Sequence, residues 1–281
     1  MLVTLKTILK LAEARQCAIG SFNTPNMTSI KAVISAAEDL NEPVILMHAQ
    51  VHEEMGLCKM DEIAPVMLFF AEKAKVPVCV HLDHGEDLSY IKRGLDLGFT
   101  SVMYDGSALD NKINTANTSI AVEMALRYGA SVEAEIGSMG TRECGSGGSN
   151  ESIYTDPDTA AMFVNETGID ALACAFGTAH GIYLKEPRLD LERLKKINSL
   201  VDVPLVMHGG SGVSHEDYKK VIELGIRKIN YYTYMAKAGG TAVSQLSGKT
   251  FFHDIETAAL KAMHDDVISA ISVFSENSQS R

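Results

Sequence analysis

His84, His180 and His208 stand far apart in the chain, yet each lies at or just past the end of a short apolar run. Three imidazole nitrogens brought to one point would hold a zinc ion and leave a fourth position open for substrate, an arrangement for catalysis rather than for structure. Asp83, Asp105, Glu133 and Glu135 sit on or beside runs of the same kind. Charged groups on otherwise apolar strands are costly to bury unless they are paired or bind a metal. Taken singly, an inward glutamate can hydrogen-bond a neighbour, and a strand-end histidine is more often a satisfied core residue than a ligand. Three histidines and several carboxylates at equivalent strand positions fit that account poorly. Two residues separate His81 from His84, and spacing alone leaves open which of them reaches a metal.

These side chains need a scaffold that gathers strand ends. Eight short apolar runs recur: Ala18 to Asn23, Pro43 to Ala49, Val76 to Asp83, Ser101 to Asp105, Ser131 to Gly137, Ala171 to Gly177, Pro204 to His208 and Lys228 to Thr233. Between them, segments such as Met27 to Leu40, Asp61 to Ala74, Ile113 to Tyr128 and His215 to Leu224 repeat apolar residues at three- and four-residue steps, the helical period. Strand then helix, eight times, predicts an α/β fold, a (β/α)8 TIM barrel, with Phe252 to Phe274 as an extra amphipathic helix at the end. Gly98, Gly129, Gly168 and Gly225 each close a helical segment before a strand, and Pro77 and Pro204 fall near strand starts. A length of 281 residues is usual for one such barrel, so a single domain over 1–281 is expected.

Alternate residues of a barrel strand face the helices and the axis. That parity sends Val80, Leu82, Val102, Tyr104, Val132, Ala134, Ile136, Leu205 and Met207 outward. It turns His81, Asp83, Asp105, Glu133, Glu135 and His208 inward, toward the mouth at the carboxyl ends of the strands. The turn Gly209-Gly210-Ser211-Gly212 follows the seventh run and Asn230 to Thr233 ends the eighth, where barrels often bind phosphate through N–H groups and hydroxyls. Ser211 lacks the spacing and strand context of a nucleophile elbow, which excludes a serine hydrolase. Around 139–153, the stretch Glu143 to Ser152 is too small and polar to pack, and reads as a mobile active-site loop.

Composition narrows the partners. The formal charge is −11 and no cluster of Lys or Arg could track a nucleic acid backbone. An anionic substrate would be repelled by that net charge, so it needs local donors such as the N–H groups of the glycine turns. Five cysteines (Cys17, Cys58, Cys79, Cys144, Cys174) without a CxxC spacing fit reduced thiols, and no apolar run approaches the roughly 20 residues that span a bilayer. The expectation is a cytoplasmic protein with no membrane and no nucleic acid partner.

Five blocks in order carry a resemblance: His81-Leu82-Asp83-His84-Gly85, Ser101 to Ser107, Val132-Glu133-Ala134-Glu135-Ile136-Gly137, Gly177-Thr178-Ala179-His180-Gly181-Ile182-Tyr183 and His208-Gly209-Gly210-Ser211-Gly212. Over nearly its whole length the chain resembles the class II, zinc-dependent fructose-bisphosphate and tagatose-bisphosphate aldolases. The resemblance implies reversible cleavage of a ketose bisphosphate or ketose 1-phosphate to dihydroxyacetone phosphate and an aldehyde. It implies Zn2+ on His84, His180 and His208, favouring His84 over His81. Asp105 and Glu135 would hold a second cation or support the zinc. Asp83 would exchange the proton of the C4 hydroxyl, and Glu143 would move the proton on carbon. Asn23, Gly181, Gly209, Ser211, Asn230 and Thr233 would hold the substrate, with a monovalent ion such as Na+ or K+ nearby. A homodimer or homotetramer is expected on the same ground.

The sequence departs from that pattern in places. Tyr232 stands where bisphosphate enzymes often have Asp, and Leu184 where some relatives have lysine, with Lys185 adjacent. The loop Thr141-Arg142-Glu143-Cys144-Gly145 differs from the acidic pair common in relatives. Two other readings share the site: a metal-dependent sugar-phosphate isomerase or epimerase, and a noncatalytic sugar-phosphate-binding subunit of an aldolase complex.

Overall fold

A computed structural model describes residues 1–137, 154–183, 185–246, 248 and 251–276. The loop expected around 139–153, with Glu143, and position 184 lie outside the described residues. The chain opens with β1 (Leu2–Val3), α1 (Leu5–Arg15), β2 (Ile19–Asn23), α2 (Met27–Leu40), β3 (Val44–Ala49), α3 (Gln50–Glu54) and α4 (Met60–Lys73). It continues with β4 (Val78–Gly85), α5 (Leu88–Asp96), β5 (Ser101–Tyr104), α6 (Asn111–Tyr128), β6 (Ser131–Ile136), α7 (Pro157–Thr167) and β7 (Ala171–Cys174). The last third holds α8 (Leu191–Leu200), β8 (Leu205–Met207), α9 (His215–Glu223), β9 (Ile226–Tyr231), α10 (Thr233–Ser244) and α11 (Phe252–Ser275).

Strands β2 to β9 pair in sequence, all parallel, and β9 returns to β2, closing the (β/α)8 barrel. Period-two alternation divides the apolar residues into two cores. Val80, Leu82, Val102, Tyr104, Val132, Ala134, Leu205 and Met207 pack between sheet and helices. Ile19, Ile45, Met47, Cys79, Met103, Ala171, Ala173 and Val206 fill the axis.

The axial core is finished by α1, whose amphipathic pattern becomes a plug. Leu5, Ile8, Leu9 and Ala12 recur at helical steps on one stripe, and all four are buried among the axial residues at the amino ends of the strands. At roughly 1.5–3 kcal/mol for each large side chain, that stripe holds the helix across the barrel floor. The opposite, carboxyl end is left for polar residues.

Pro77 and Pro204 immediately precede β4 and β8, and Gly98, Gly129, Gly168 and Gly225 all take positive φ after their helices. The structure also adds what periodicity could not find. The two-residue β1 and five-residue α3 are too short for a repeat, and α10 starts at Thr233, where a strand ending was expected. α11 packs on α2 and α10, and Phe274 at its end contacts the rings of Tyr218 and Tyr231.

One irregularity matters for the mouth. In an unbroken strand the consecutive residues Asp83 and His84 would face opposite sides of the sheet. β4 instead shifts register against β5 between Leu82 and Gly85, and His84 has φ 47°. Such a left-handed backbone is uncommon for a residue with a side chain, and it persists only where surrounding contacts hold it. Here the bulge turns two consecutive side chains toward the same mouth.

Candidate active site

Behind each of two histidines stands a carboxylate that fixes its ring. Asp105 Oδ2 lies 2.6 Å from His84 Nδ1, and Glu133 Oε1 lies 2.9 Å from His208 Nε2. The nitrogens left over, His84 Nε2 and His208 Nδ1, face each other at 2.9 Å. Ring centroids of His84, His180 and His208 are 4.5–5.9 Å apart, and candidate ligand atoms from all three lie within 4.8 Å of one another. A second group, His84, Asp105 and Glu135, meets the same limit. His81 does not join them: its Nδ1 is 2.8 Å from Ser101 Oγ, deeper in the barrel, and it is fully buried.

The electrostatics favour a positive charge between those rings. Burial pushes His84 down, but Asp83, Asp105 and Glu135 together carry it up to about 10. Burial, with His84 and His208 alongside, takes His180 down to about 3. Glu135 is raised well above the usual carboxylate range by burial and by the neighbouring Asp105, Glu133 and Asp83. Its Oε2 is buried without a hydrogen-bond partner, 3.6 Å from His208 Nδ1. Imidazoles backed by carboxylates, beside a carboxylate oxygen lacking a donor, fit a divalent cation.

Asp83 is prepared differently. Asn230 Nδ2 donates to its Oδ1 at 3.0 Å, and Asn23 Nδ2 to its Oδ2 at 3.4 Å. Burial opposes its ionisation, but His84, His208 and Lys228 outweigh burial and hold the carboxyl well below its ordinary range. Its carboxylate is therefore favoured beside the paired imidazoles.

Below lies a support that parity alone did not assign. Lys228 Nζ is 2.9 Å from Glu133 Oε2, both side chains are fully buried, and Glu133 in turn orients His208. Lys228 shares the inward parity of Asn230 two residues on, so the signal was present. Lys228→Met is expected to destabilise the fold by about 3–5 kcal/mol, because it leaves the Glu133 charge buried and unpaired. Equilibrium urea unfolding measures this, and an unmoved midpoint would deny the ion pair any structural weight.

The segment bearing His180 is fastened to the turn after β8. The hydroxyl of Tyr183 accepts from the Ala179 N–H at 2.7 Å and donates to the Gly209 carbonyl at 2.8 Å. Gly209 has φ 62°, and a Cβ there would come within 2.4 Å of the Ala179 carbonyl oxygen, so only glycine allows the approach. Tyr218 Oη donates to the Gly210 carbonyl, and the Tyr232 N–H donates to Ser211 Oγ at 3.0 Å.

One cavity joins these parts. Asn23, Gly181, Gly209, Ser211, Asn230 and Thr233 all line it, with Asp83, His84 and His180. The remaining wall includes Val51, His52 and Tyr232. His52 rides on the short α3, and nothing in the sequence pattern singled it out. Glu143 lies outside the described residues.

Comparison with known proteins agrees with this architecture. Residues 3–279 match the family described as Fructose-bisphosphate aldolase class-II. The protein YdjI of Escherichia coli (strain K12) is 38% identical over 263 residues, covering 94% of each chain. The crystal structure of the YdjI aldolase superposes with a TM-score of 0.86 at 35% identity, over 98% of this chain and 97% of that one. Fructose-bisphosphate aldolase from Campylobacter jejuni shares the fold, with a TM-score of 0.82 at 23% identity over 97% and 95% of the two chains. The chain belongs to the class II fructose-bisphosphate aldolase family. Among the described residues no helix is long and apolar enough to cross a membrane.

Proposed function

We propose that this protein is a zinc-dependent aldolase that reversibly cleaves a ketose bisphosphate or ketose 1-phosphate to dihydroxyacetone phosphate and an aldehyde. The observation that carries the reading is the pairing of two kinds of group at one mouth. Imidazoles whose outer nitrogens are taken by Asp105 and Glu133 turn their inner ones together, and the ionised Asp83 lies beside them.

Zinc held by His84, His180 and His208 would supply Lewis acidity to the ketone oxygen, worth several kcal/mol of transition-state stabilisation. Asp105 and Glu135 support that position or a second cation, including a monovalent ion such as Na+ or K+. In the cleavage direction Asp83 takes the proton of the C4 hydroxyl, the C3–C4 bond breaks, and C4 leaves as the aldehyde carbon. Condensation returns that proton from Asp83 to the new hydroxyl. Glu143 is assigned the proton at carbon. Asn23 and Asn230 keep both Asp83 oxygens oriented, while the N–H groups of Gly209 and Ser211, with Gly181 and the start of α10 at Thr233, meet the triose phosphate end. The protein acts as a homodimer or homotetramer in the cytoplasm.

The deciding measurement couples released dihydroxyacetone phosphate to a reductase, across ketose 1-phosphates and 1,6-bisphosphates of varied stereochemistry. Triose phosphate released from at least one of them is expected. An isomeric ketose or aldose with no triose phosphate would replace this reading with an isomerase.

A further inference from the structure

The mouth is built from two arcs of the barrel. Strands β4 to β8 and their following turns carry His84, Asp105, Glu135, His180 and His208. The other arc, β9, β2 and β3, carries Asn230, Asn23 and, through α3, His52. Asp83 lies on the boundary, since its two oxygens reach across to Asn230 and Asn23. If Asp83 serves the C4 hydroxyl and the triose phosphate end lies at the Gly209–Ser211 turn and Thr233, carbons beyond C4 extend toward β2, β3 and α3.

Ser21 Oγ, Asn230 Oδ1 and His52 Nδ1 are buried on that arc without a hydrogen-bond partner, and of these residues His52 is the one carried on α3 beyond the strand ends. It lines the cavity and is only 5% exposed, and its Nδ1 is buried with no hydrogen-bond partner. A buried polar atom left without a partner costs about 1–3 kcal/mol, so the imidazole keeps hydrogen-bonding capacity that the fold itself does not use. The ring and the short helix that carries it are both held. Tyr232 packs against it with centroids 4.9 Å apart. The neighbouring Glu53 accepts from Tyr90 Oη at 2.9 Å, from Arg93 Nη1 at 3.1 Å and from the Met60 N–H at 3.2 Å, while Gln50 Oε1 accepts from the Glu86 N–H at 3.0 Å. α3 is thus tied to α4, α5 and the end of β4, and its histidine is presented rather than mobile.

Resting on the aldolase reading above, we propose that His52 is a specificity-determining residue whose imidazole hydrogen-bonds a hydroxyl on the aldehyde half of the ketose, at C5 or C6. Tyr232 sets the ring's angle and closes the wall beside it. The preferred substrates are then polyhydroxylated beyond C4, and the same site discriminates against their deoxy counterparts.

The test uses the full-length, zinc-loaded protein and His52→Phe, which keeps the ring against Tyr232 and removes both nitrogens, with His52→Gln as a variant that retains a donor and an acceptor. For the wild-type protein, kcat/KM is expected to fall about tenfold when the hydroxyl at C5 or C6 is deleted from the best ketose phosphate, the worth of one hydrogen bond. His52→Phe should lose about tenfold on the hydroxylated substrate and show no discrimination against the deoxy one, with His52→Gln recovering part of it. The dissociation constant of dihydroxyacetone phosphate should stay within about twofold in both variants. Unchanged discrimination in His52→Phe, or equal weakening of dihydroxyacetone phosphate, overturns the assignment. A well-folded, zinc-loaded wild type that releases no triose phosphate from any ketose defeats the aldolase reading itself, and the role of His52 falls with it.

Discussion

Asp83→Asn is expected to retain zinc and to lose turnover by roughly 10²–10⁴-fold, the usual worth of a positioned general base. The substitution is nearly isosteric, but an amide cannot accept the C4 proton. It also brings an NH2 group to a place where Asn230 and Asn23 already donate. One of the two amides must then find another acceptor, so a modest rise in KM should accompany the fall in kcat. Zinc content measured by mass spectrometry separates the two ways of failing. Full metal with lost turnover supports a proton-transfer role. Unchanged turnover would remove Asp83 from the chemistry, and loss of zinc would make it a metal-site residue instead.

Exhaustive treatment with a strong chelator should abolish ketose cleavage, by about 10³-fold or more, and stoichiometric zinc should restore it. Several kcal/mol of Lewis-acid stabilisation corresponds to that factor, since each 1.36 kcal/mol is tenfold in rate. The barrel's own lysine cannot take over by forming a Schiff base. Lys228 is fully buried and ion-paired with Glu133, so its amine is neither accessible nor free. Cleavage that survives with zinc below detection would sink the proposed mechanism. Restoration by magnesium but not zinc would move the metal assignment toward an all-oxygen site, which three imidazoles do not favour.

The barrel was legible because two periodicities alternate along the chain without interruption. The parity of Asp83, Glu133, Glu135 and His208 followed from counting by twos from apolar neighbours. His84 was a candidate from its place just past the third run, but only the family resemblance chose it over His81. Counting by twos sends His84 to the wrong side of the sheet, and the register shift with a left-handed residue is a tertiary event that no local pattern announces. His81 shows the converse, since it has the right parity but lies too deep on the strand. The plug formed by α1 carries an apolar stripe, but the sequence does not say where it packs. An apolar stripe says that a helix packs without saying on what. His52 was hidden because five residues are too few to express a helical repeat.

Two short pieces, the α3 segment Gln50–Glu54 and the Tyr231–Tyr232 step, supply part of the cavity wall without supplying an imidazole of the proposed metal set. Glu53 anchors the first to α4 and α5, and the Tyr232 N–H anchors the second to Ser211 Oγ. A lineage exchanging those pieces could acquire new sugars while its proton and charge chemistry stayed untouched. Transplanting the same pieces onto a sister enzyme would be the corresponding exercise for an engineer.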